Sequence, residues 1–243
     1  MAVLVTRPAP DNTATASALR ARGYDTVLSP VLRFEAIPFH DDEDVSYDGI
    51  IVTSANALRA VADHAAMNHL RKLTLFAVGA ASADAAREAG FKNVLSAKGD
   101  GASLRDLVVK KLKKGSTLCY LAGADLSRDL AGELGARGFT IITHTTYRMV
   151  PIAQLSADVV AAFNAERIDA VLHFSRRSAR AFFEAARASG VEISALALPH
   201  CCISEAVAAV AHEAGAAQVA VARTLDEAAV LDALERIVKP SSR

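Results

Sequence analysis

A chain of 243 residues is long for one compact core and suits two domains of about 120 residues each. With 27 Lys+Arg against 27 Asp+Glu, the formal net charge of zero excludes a diffuse polybasic surface for nucleic acid or membrane, so an anionic ligand has to be held locally. The 52% hydrophobic and 22% charged content excludes a disordered chain, and 5% aromatic residues with no Trp leave little on which to stack bases or sugars.

The apolar run before Arg7 and Pro8 is too short for a signal-peptide core, and no stretch approaches the roughly 20 apolar residues of a membrane helix. From there, short runs rich in Val, Ile and Leu alternate with Ala/Arg/Glu segments at helical spacing, a β-α-β rhythm. Strands are predicted over 2–6, 26–28, 49–52, 73–78, 93–95, 116–121, 140–144, 170–174, 199–203 and 218–221. Several are apolar throughout, which suits parallel sheets covered on both faces, so the fold class is α/β. Helices are predicted over 11–22, 82–89, 127–137 and 205–214, each stopped by a glycine where a left-handed cap is wanted: Gly23, Gly90, Gly138 and Gly215.

Two segments repeat without gaps. Asp48-Gly-Ile-Ile-Val-Thr-Ser-Ala-Asn-Ala-Leu-Arg aligns with Asp169-Ala-Val-Leu-His-Phe-Ser-Arg-Arg-Ser-Ala-Arg at a shift of 121 residues, matching Ser54 with Ser175 and Arg59 with Arg180. Gly90 and Gly215 lie 125 apart, and Gly23 and Gly138 lie 115 apart, so the chain is doubled and each half makes an α/β lobe. The extended stretches 31–38 and 143–151 are expected to form a paired connector between lobes.

Cys119, Cys201 and Cys202 make no even framework, and adjacent residues on a strand point to opposite faces; this pattern fits a reducing, cytoplasmic setting. No P-loop or GxGxxG is present, and Val78-Gly79-Ala80-Ala81-Ser82-Ala83 lacks the second glycine that close pyrophosphate approach needs. HExxH, CxxC and GxSxG are missing too. His64 and His69 face different directions on a predicted helix, while His144, His173, His200 and His212 are scattered along the chain; all read as solvated or structural.

Hydroxyl residues recur at strand ends where helices start: Thr6, Thr53, Ser54, Ser82, Ser175, Ser178 and Ser204. Each has the ordinary explanation of a helix N-cap. Gathered on one edge of two facing lobes, such helix ends also make anion sites without net positive charge, pointing to a polycarboxylate or polyphosphate ligand. Arg7, Arg128, Arg148, Arg176 and Arg177 lie near these ends. Tyr147 stands in the second extended stretch, where it serves either as connector packing or as a mild acid, its reference pKa being about 10.

Taken in order, Val3-Leu-Val-Thr-Arg-Pro, the Asp48 segment, Val78-Gly79-x-x-Ser82-Ala83, Gly90-Phe91, the strand entering Gly123 with Arg128 after it, Gly138-Phe139 through Thr146-Tyr147, Phe174-Ser175 and Cys202-Ile-Ser resemble uroporphyrinogen-III synthases, from Val3 to about Leu234. The resemblance implies two flavodoxin-like parallel-sheet lobes joined by a two-stranded connector with a cleft between them: residues 1–35 plus 150–243, and the inserted 36–149. It implies cyclisation of hydroxymethylbilane, a linear tetrapyrrole with eight carboxylates, to uroporphyrinogen III, with loss of water, inversion of ring D through a spiro intermediate, and no cofactor or metal. Unassisted closure gives the uninverted isomer, so the enzyme's task is largely positioning.

By position, the resemblance makes Tyr147 the proton donor to the leaving hydroxyl and assigns Arg7, Thr53, Ser54, Ser82, Gly123, Ser175, Ser178 and Ser204 to substrate binding. Ser82 stands where the family more often has Thr; Arg176 and Glu205 stand where it more often has a small residue or Pro, and Val207 where some members have Thr. Glu205 would repel a carboxylate at its helix end. The implied setting is a cytoplasmic monomer that receives its substrate from hydroxymethylbilane synthase and binds neither nucleic acid nor membrane. A reading from another class is a non-catalytic two-lobed binder or sensor of a carboxylated tetrapyrrole or other polyanion, which would use the same helix ends without Tyr147.

Overall fold

The computed structural model of the chain describes residues 1–41 and 44–239. The chain begins with β1 (Ala2–Val5), α1 (Asp11–Ala21), β2 (Asp25–Leu28) and β3 (Leu32–Ala36). It continues through β4 (Gly49–Val52), α2 (Ala55–Val61), α3 (Met67–Leu70), β5 (Thr74–Ala77), α4 (Ala80–Glu88), β6 (Val94–Ser96), α5 (Gly101–Lys111), β7 (Thr117–Gly123), α6 (Leu130–Gly135) and the long β8 (Thr140–Pro151). The last part comprises α7 (Ala157–Asn164), β9 (Ala170–His173), α8 (Arg176–Ala188), α9 (Glu192–Ala197), β10 (Pro199–Cys202), α10 (Glu205–Ala214), β11 (Gln218–Val221) and α11 (Glu227–Ile237). Among the described residues no helix is long and apolar enough to cross a membrane.

The chain forms two compact units: unit one is Met1–Arg33 with the segment from Val150 onward, and unit two is Phe34–Met149. Unit one holds a five-stranded sheet in the order β11-β10-β9-β1-β2, with every pairing parallel. Unit two is built on the six-stranded sheet β3-β8-β7-β4-β5-β6, in which β8 through β6 are parallel neighbours. Matching β9, β10, β11, β1 and β2 to β4, β5, β6, β7 and β8 superposes one strand order on the other, so each unit is a circular permutant of its counterpart.

The permutation is visible in single hydrogen bonds. At the start of β4 the Asp48 carboxylate accepts the Thr117 amide of β7 at 2.8 Å, and at the start of β9 the Asp169 carboxylate accepts the Ala2 amide of β1 at 2.7 Å. In both cases the aspartate's own amide donates back to its neighbour's carbonyl at 2.8 Å. This explains the two different shifts in the sequence repeat: 121 residues relate β4 to β9, and 115 relate the β7-α6-β8 unit to β1-α1-β2, where Gly138 answers Gly23.

Strands buried on both faces need apolar residues at every position, and β4 (Gly-Ile-Ile-Val) is buried throughout. Ile50, Val52, Leu75, Ala77, Cys119 and Leu121 face a core formed with α2, α3 and α4, whereas Ile51, Phe76, Leu118 and Tyr120 face one formed with α5 and α6. Each fully buried aliphatic side chain contributes about 1.5–3 kcal/mol from removal of its apolar surface from water. The four glycines expected to end helices all have left-handed φ, between 84° and 97°.

Some boundaries differ from the sequence reading. The predicted helix 127–137 is reduced to α6 because Asp129 caps it, its carboxylate accepting the Gly132 amide at 2.9 Å. Helix α4 starts two residues before Ser82, with extended Gly79 at its N-cap position. The stretch 31–38 supplies β3, a sixth strand for unit two, which lies at the sheet edge beside β8.

Candidate functional site

In an open parallel sheet the ligand crevice opens at the carboxyl ends of the two strands where the connections reverse direction. In unit two those strands are β4 and β7. A cavity of about 460 Å³ lies there, lined by Thr53 and Ser54 after β4, Tyr120 and Gly123 of β7, Tyr147 of β8 and Arg128 ahead of α6, among others. Four residues singled out for site roles from the sequence, Thr53, Ser54, Gly123 and Tyr147, thus share one cavity.

Tyr147 is placed by a break in register. The β7–β8 ladder shifts between Ala122 and Gly123, so Gly123 is paired with Tyr147, and the Ala124 amide donates to the Tyr147 carbonyl at 2.9 Å. The Thr146 hydroxyl, fully buried, donates to the Ala122 carbonyl and anchors the other side of the bulge. The half-buried Tyr147 ring stacks on Phe34 with centroids 5.8 Å apart, and Arg59 lies over the other ring of that pair, 6.0 Å from the Phe34 centroid. Gly123 makes room for the phenol: a Cβ there would stand 2.7 Å from Tyr147 Cζ and 2.8 Å from its Oη.

The hydroxyls of the cavity are not equivalent. Ser54 caps α2, accepting the Asn56 amide at 3.2 Å. Thr53 Oγ1 lies 3.2 Å from the hydroxyl of Tyr120, whose burial raises its pKa and keeps it a neutral phenol. Tyr120 did not emerge from the sequence because it sits in an apolar strand and reads there as core; the signal available was a polar-tipped side chain three residues before a strand-end glycine.

Charged groups line the cavity as well, among them Arg128, Asp100 and Asp125. Arg128 pairs with Glu133 through two nitrogens, at 2.6 and 2.9 Å, and Glu133 also pairs with Arg105, so its carboxyl is held below the usual range. Asp100, also in the lining, accepts the Ser103 amide and hydroxyl as the cap of α5, which lowers its pKa. The neutral donors, Thr53, Tyr147 and the first amides of α2, are therefore the groups through which this cavity can receive a carboxylate.

The remaining sequence-predicted residues lie elsewhere. Ser82 belongs to unit two, buried in the first turn of α4 and not a cap. In unit one, Arg7 donates to Glu227 at 2.7 Å and to Asp11 at 2.8 Å, approaches Thr15 at 3.3 Å, and stacks over Phe174 at 4.4 Å. Ser175 caps α8 by accepting the Ser178 amide, and its hydroxyl donates to Ser178 Oγ at 2.9 Å. Ser204 is the N-cap residue of α10 but makes no side-chain cap bond, and Glu205 occupies that first turn.

Two histidines that look unrelated in sequence meet. His173 on β9 and His200 on β10 are both fully buried, with His173 Nε2 2.9 Å from His200 Nδ1 and His200 Nε2 3.0 Å from the Ala195 carbonyl. The carbonyl requires His200 to be the donor at Nε2, so His173 Nε2–H donates to His200 Nδ1. Burial drives both pKa values down, that of His200 to about 4. The pair is structural, in line with the reading of the histidines from sequence, but it is not scattered.

The family described as uroporphyrinogen-III synthase HemD matches residues 13–232. No curated protein sequence matches the chain at a significant level. Among solved structures, the chain is similar to uroporphyrinogen-III synthetase from Helicobacter pylori, with a TM-score of 0.63 and 16% identity over 95% of this chain and 96% of that one. It is also similar to a mutant uroporphyrinogen III synthase from the extremely thermophilic bacterium Thermus thermophilus, with a TM-score of 0.56 and 17% identity over 97% and 98% of the two chains. At these identities the structures speak for the fold.

Proposed function

The chain belongs to the uroporphyrinogen-III synthase family, and we infer from this that it closes hydroxymethylbilane to uroporphyrinogen III with loss of water and inversion of ring D. The observation that carries the site assignment is the convergence of Tyr147 with neutral hydroxyl and amide donors in one cavity of unit two. Loss of hydroxide from an electron-rich pyrrole needs only mild acid help, which a phenol can give. Tyr147 donates its proton to the departing hydroxyl, and water leaves. The resulting azafulvenium is attacked by the substituted carbon of ring D to give a spiro intermediate; the bond from that carbon to the ring C bridge breaks and re-forms at ring D's free α-carbon, and the proton lost there on re-aromatisation returns to the Tyr147 phenolate.

Thr53, Ser54 and the α2 amides are proposed to grip substrate carboxylates, with Gly123 keeping the phenol's position open. Ser82, Ser175, Ser178, Ser204 and Arg7 complete the proposed binding set; the last four are residues of unit one. Arg7 enters by exchanging Asp11 or Glu227 for a substrate carboxylate. Holding the bilane so that its ends meet in the strained geometry supplies most of the catalysis.

We further propose that the protein works as a cytoplasmic monomer supplied by hydroxymethylbilane synthase; three buried free cysteines suit a reducing compartment. The functional reading is tested by the rate at which hydroxymethylbilane disappears. Added protein should accelerate its consumption well above spontaneous closure, and consumption at the spontaneous rate would refute the reading.

A further inference from the structure

We propose that Tyr120 is a positioning residue: its phenol donates to Thr53 Oγ1 and leaves the Thr53 hydroxyl proton for a carboxylate entering the cavity of unit two. The proposal rests on the carboxylated tetrapyrrole substrate inferred above. Tyr120 is only 2% exposed, and a phenolic O–H buried to that degree has to find an acceptor. Thr53 Oγ1, at 3.2 Å, is the acceptor within its reach among the described residues. If the bond ran the other way, the Thr53 proton would be spent on the Tyr120 oxygen, and the phenolic proton, on a side chain only 2% exposed, would lack a protein acceptor among the described residues. Because Tyr120 donates, Thr53 presents its own proton to the space that it lines with Tyr147.

The counterpart positions in unit one show that the pair is not a requirement of the fold. Under the permutation, Thr53 corresponds to Phe174 and Tyr120 to Val5, both apolar, and the place is filled by Arg7 stacked on Phe174. The same strand ends therefore form a switch point without a tyrosine–threonine pair at these two positions. Within unit two, Ser54 caps α2 as an acceptor and keeps its own proton, and the Tyr120–Thr53 bond turns the second hydroxyl of this turn toward a ligand.

The test is a double-mutant cycle with Tyr120→Phe and Thr53→Val in the full chain. It is read as KM and kcat for hydroxymethylbilane and, separately, as the Kd of uroporphyrin, a stable octacarboxylate. Tyr120→Phe should raise KM and the uroporphyrin Kd about fivefold and leave kcat within about twofold, as expected for one weakened hydrogen bond. Thr53→Val should do the same, and the double variant should be no worse than either single one. Full additivity of the two effects, or no effect of either substitution, would overturn the proposal, and so would a loss confined to thermal stability. If the wild-type chain binds uroporphyrin without turning over hydroxymethylbilane, the functional reading fails while the Kd cycle still decides the role of Tyr120.

Discussion

Replacing Gly123 by Ala separates the position of the Tyr147 phenol from its chemistry. The new Cβ would lie 2.7 Å from Tyr147 Cζ, 2.8 Å from Oη and 3.0 Å from Cε1, all atoms at the free end of one side chain. Ordinary contact begins near 3.4 Å, so the ring tip has to retreat by about 0.7 Å. Gly123 does not have a left-handed φ, so the strand itself accommodates Ala and the ring is what moves. The cost in stability should be modest, about 1 kcal/mol, at the low end for overpacking. The cost in rate should be larger, because a misplacement approaching 1 Å at a reacting group is worth up to about 100-fold; we expect kcat to fall roughly 10- to 100-fold. Steady-state kinetics on hydroxymethylbilane, paired with urea unfolding, measure both. In a Tyr147→Phe background the further loss should shrink, since no phenol remains to displace. Wild-type kcat in Gly123→Ala, or a loss of the same size in both backgrounds, would refute the reasoning.

Tyr147→Phe alone should lower kcat by about 10-fold or more with the fold intact, in the usual range for a general acid; an unchanged kcat removes that role. Asp48→Ala and Asp169→Ala each strip the acceptor from an amide that begins a central strand, so each should cost about 1–2 kcal/mol in urea unfolding, and a neutral result at both sites would contradict the permuted frame. The His173–His200 pair makes the fold acid-sensitive: their folded pKa values lie below the unfolded value of about 6.5, so the unfolded chain binds more protons and stability falls as pH drops from about 6.5 toward 4. For His200 alone, with a folded value of about 4, the loss at pH ~5 is about 2 kcal/mol. Thermal unfolding followed between about pH 7 and 5 checks it, and a flat profile would show that the imidazoles are not buried neutral.

Local chemistry was legible wherever one residue decides the backbone. Gly23, Gly90, Gly138 and Gly215 mark helix ends because only glycine adopts left-handed φ without strain. The Asp48 and Asp169 repeat was readable as doubling, and its two unequal shifts already encoded the permutation, although which strands become neighbours is fixed only by pairing across the sheet. Strands β4, β5 and β9 followed from apolar runs, whereas β3 carries Arg33 and Glu35 and reads as a connector; at the sheet edge Arg33 is exposed and Glu35 pairs with Arg148. The family resemblance pointed to Tyr147 and the Thr53 turn. Tyr120 and the His173–His200 pair were hidden because their partners lie on neighbouring strands, 67 and 27 residues away, and sequence spacing carries no information about which strands pair. Ser82, a cap by pattern, turned out to be buried inside the first turn of α4 because extended Gly79 already starts that helix.

What the enzyme adds to spontaneous closure is control over which isomer forms, and the product's isomer composition tests it most directly. Purified chain supplied with freshly generated hydroxymethylbilane should yield mainly the type III macrocycle, separated chromatographically after oxidation to the porphyrin, whereas a protein-free control yields type I. Type I alone in both reactions would contradict the account.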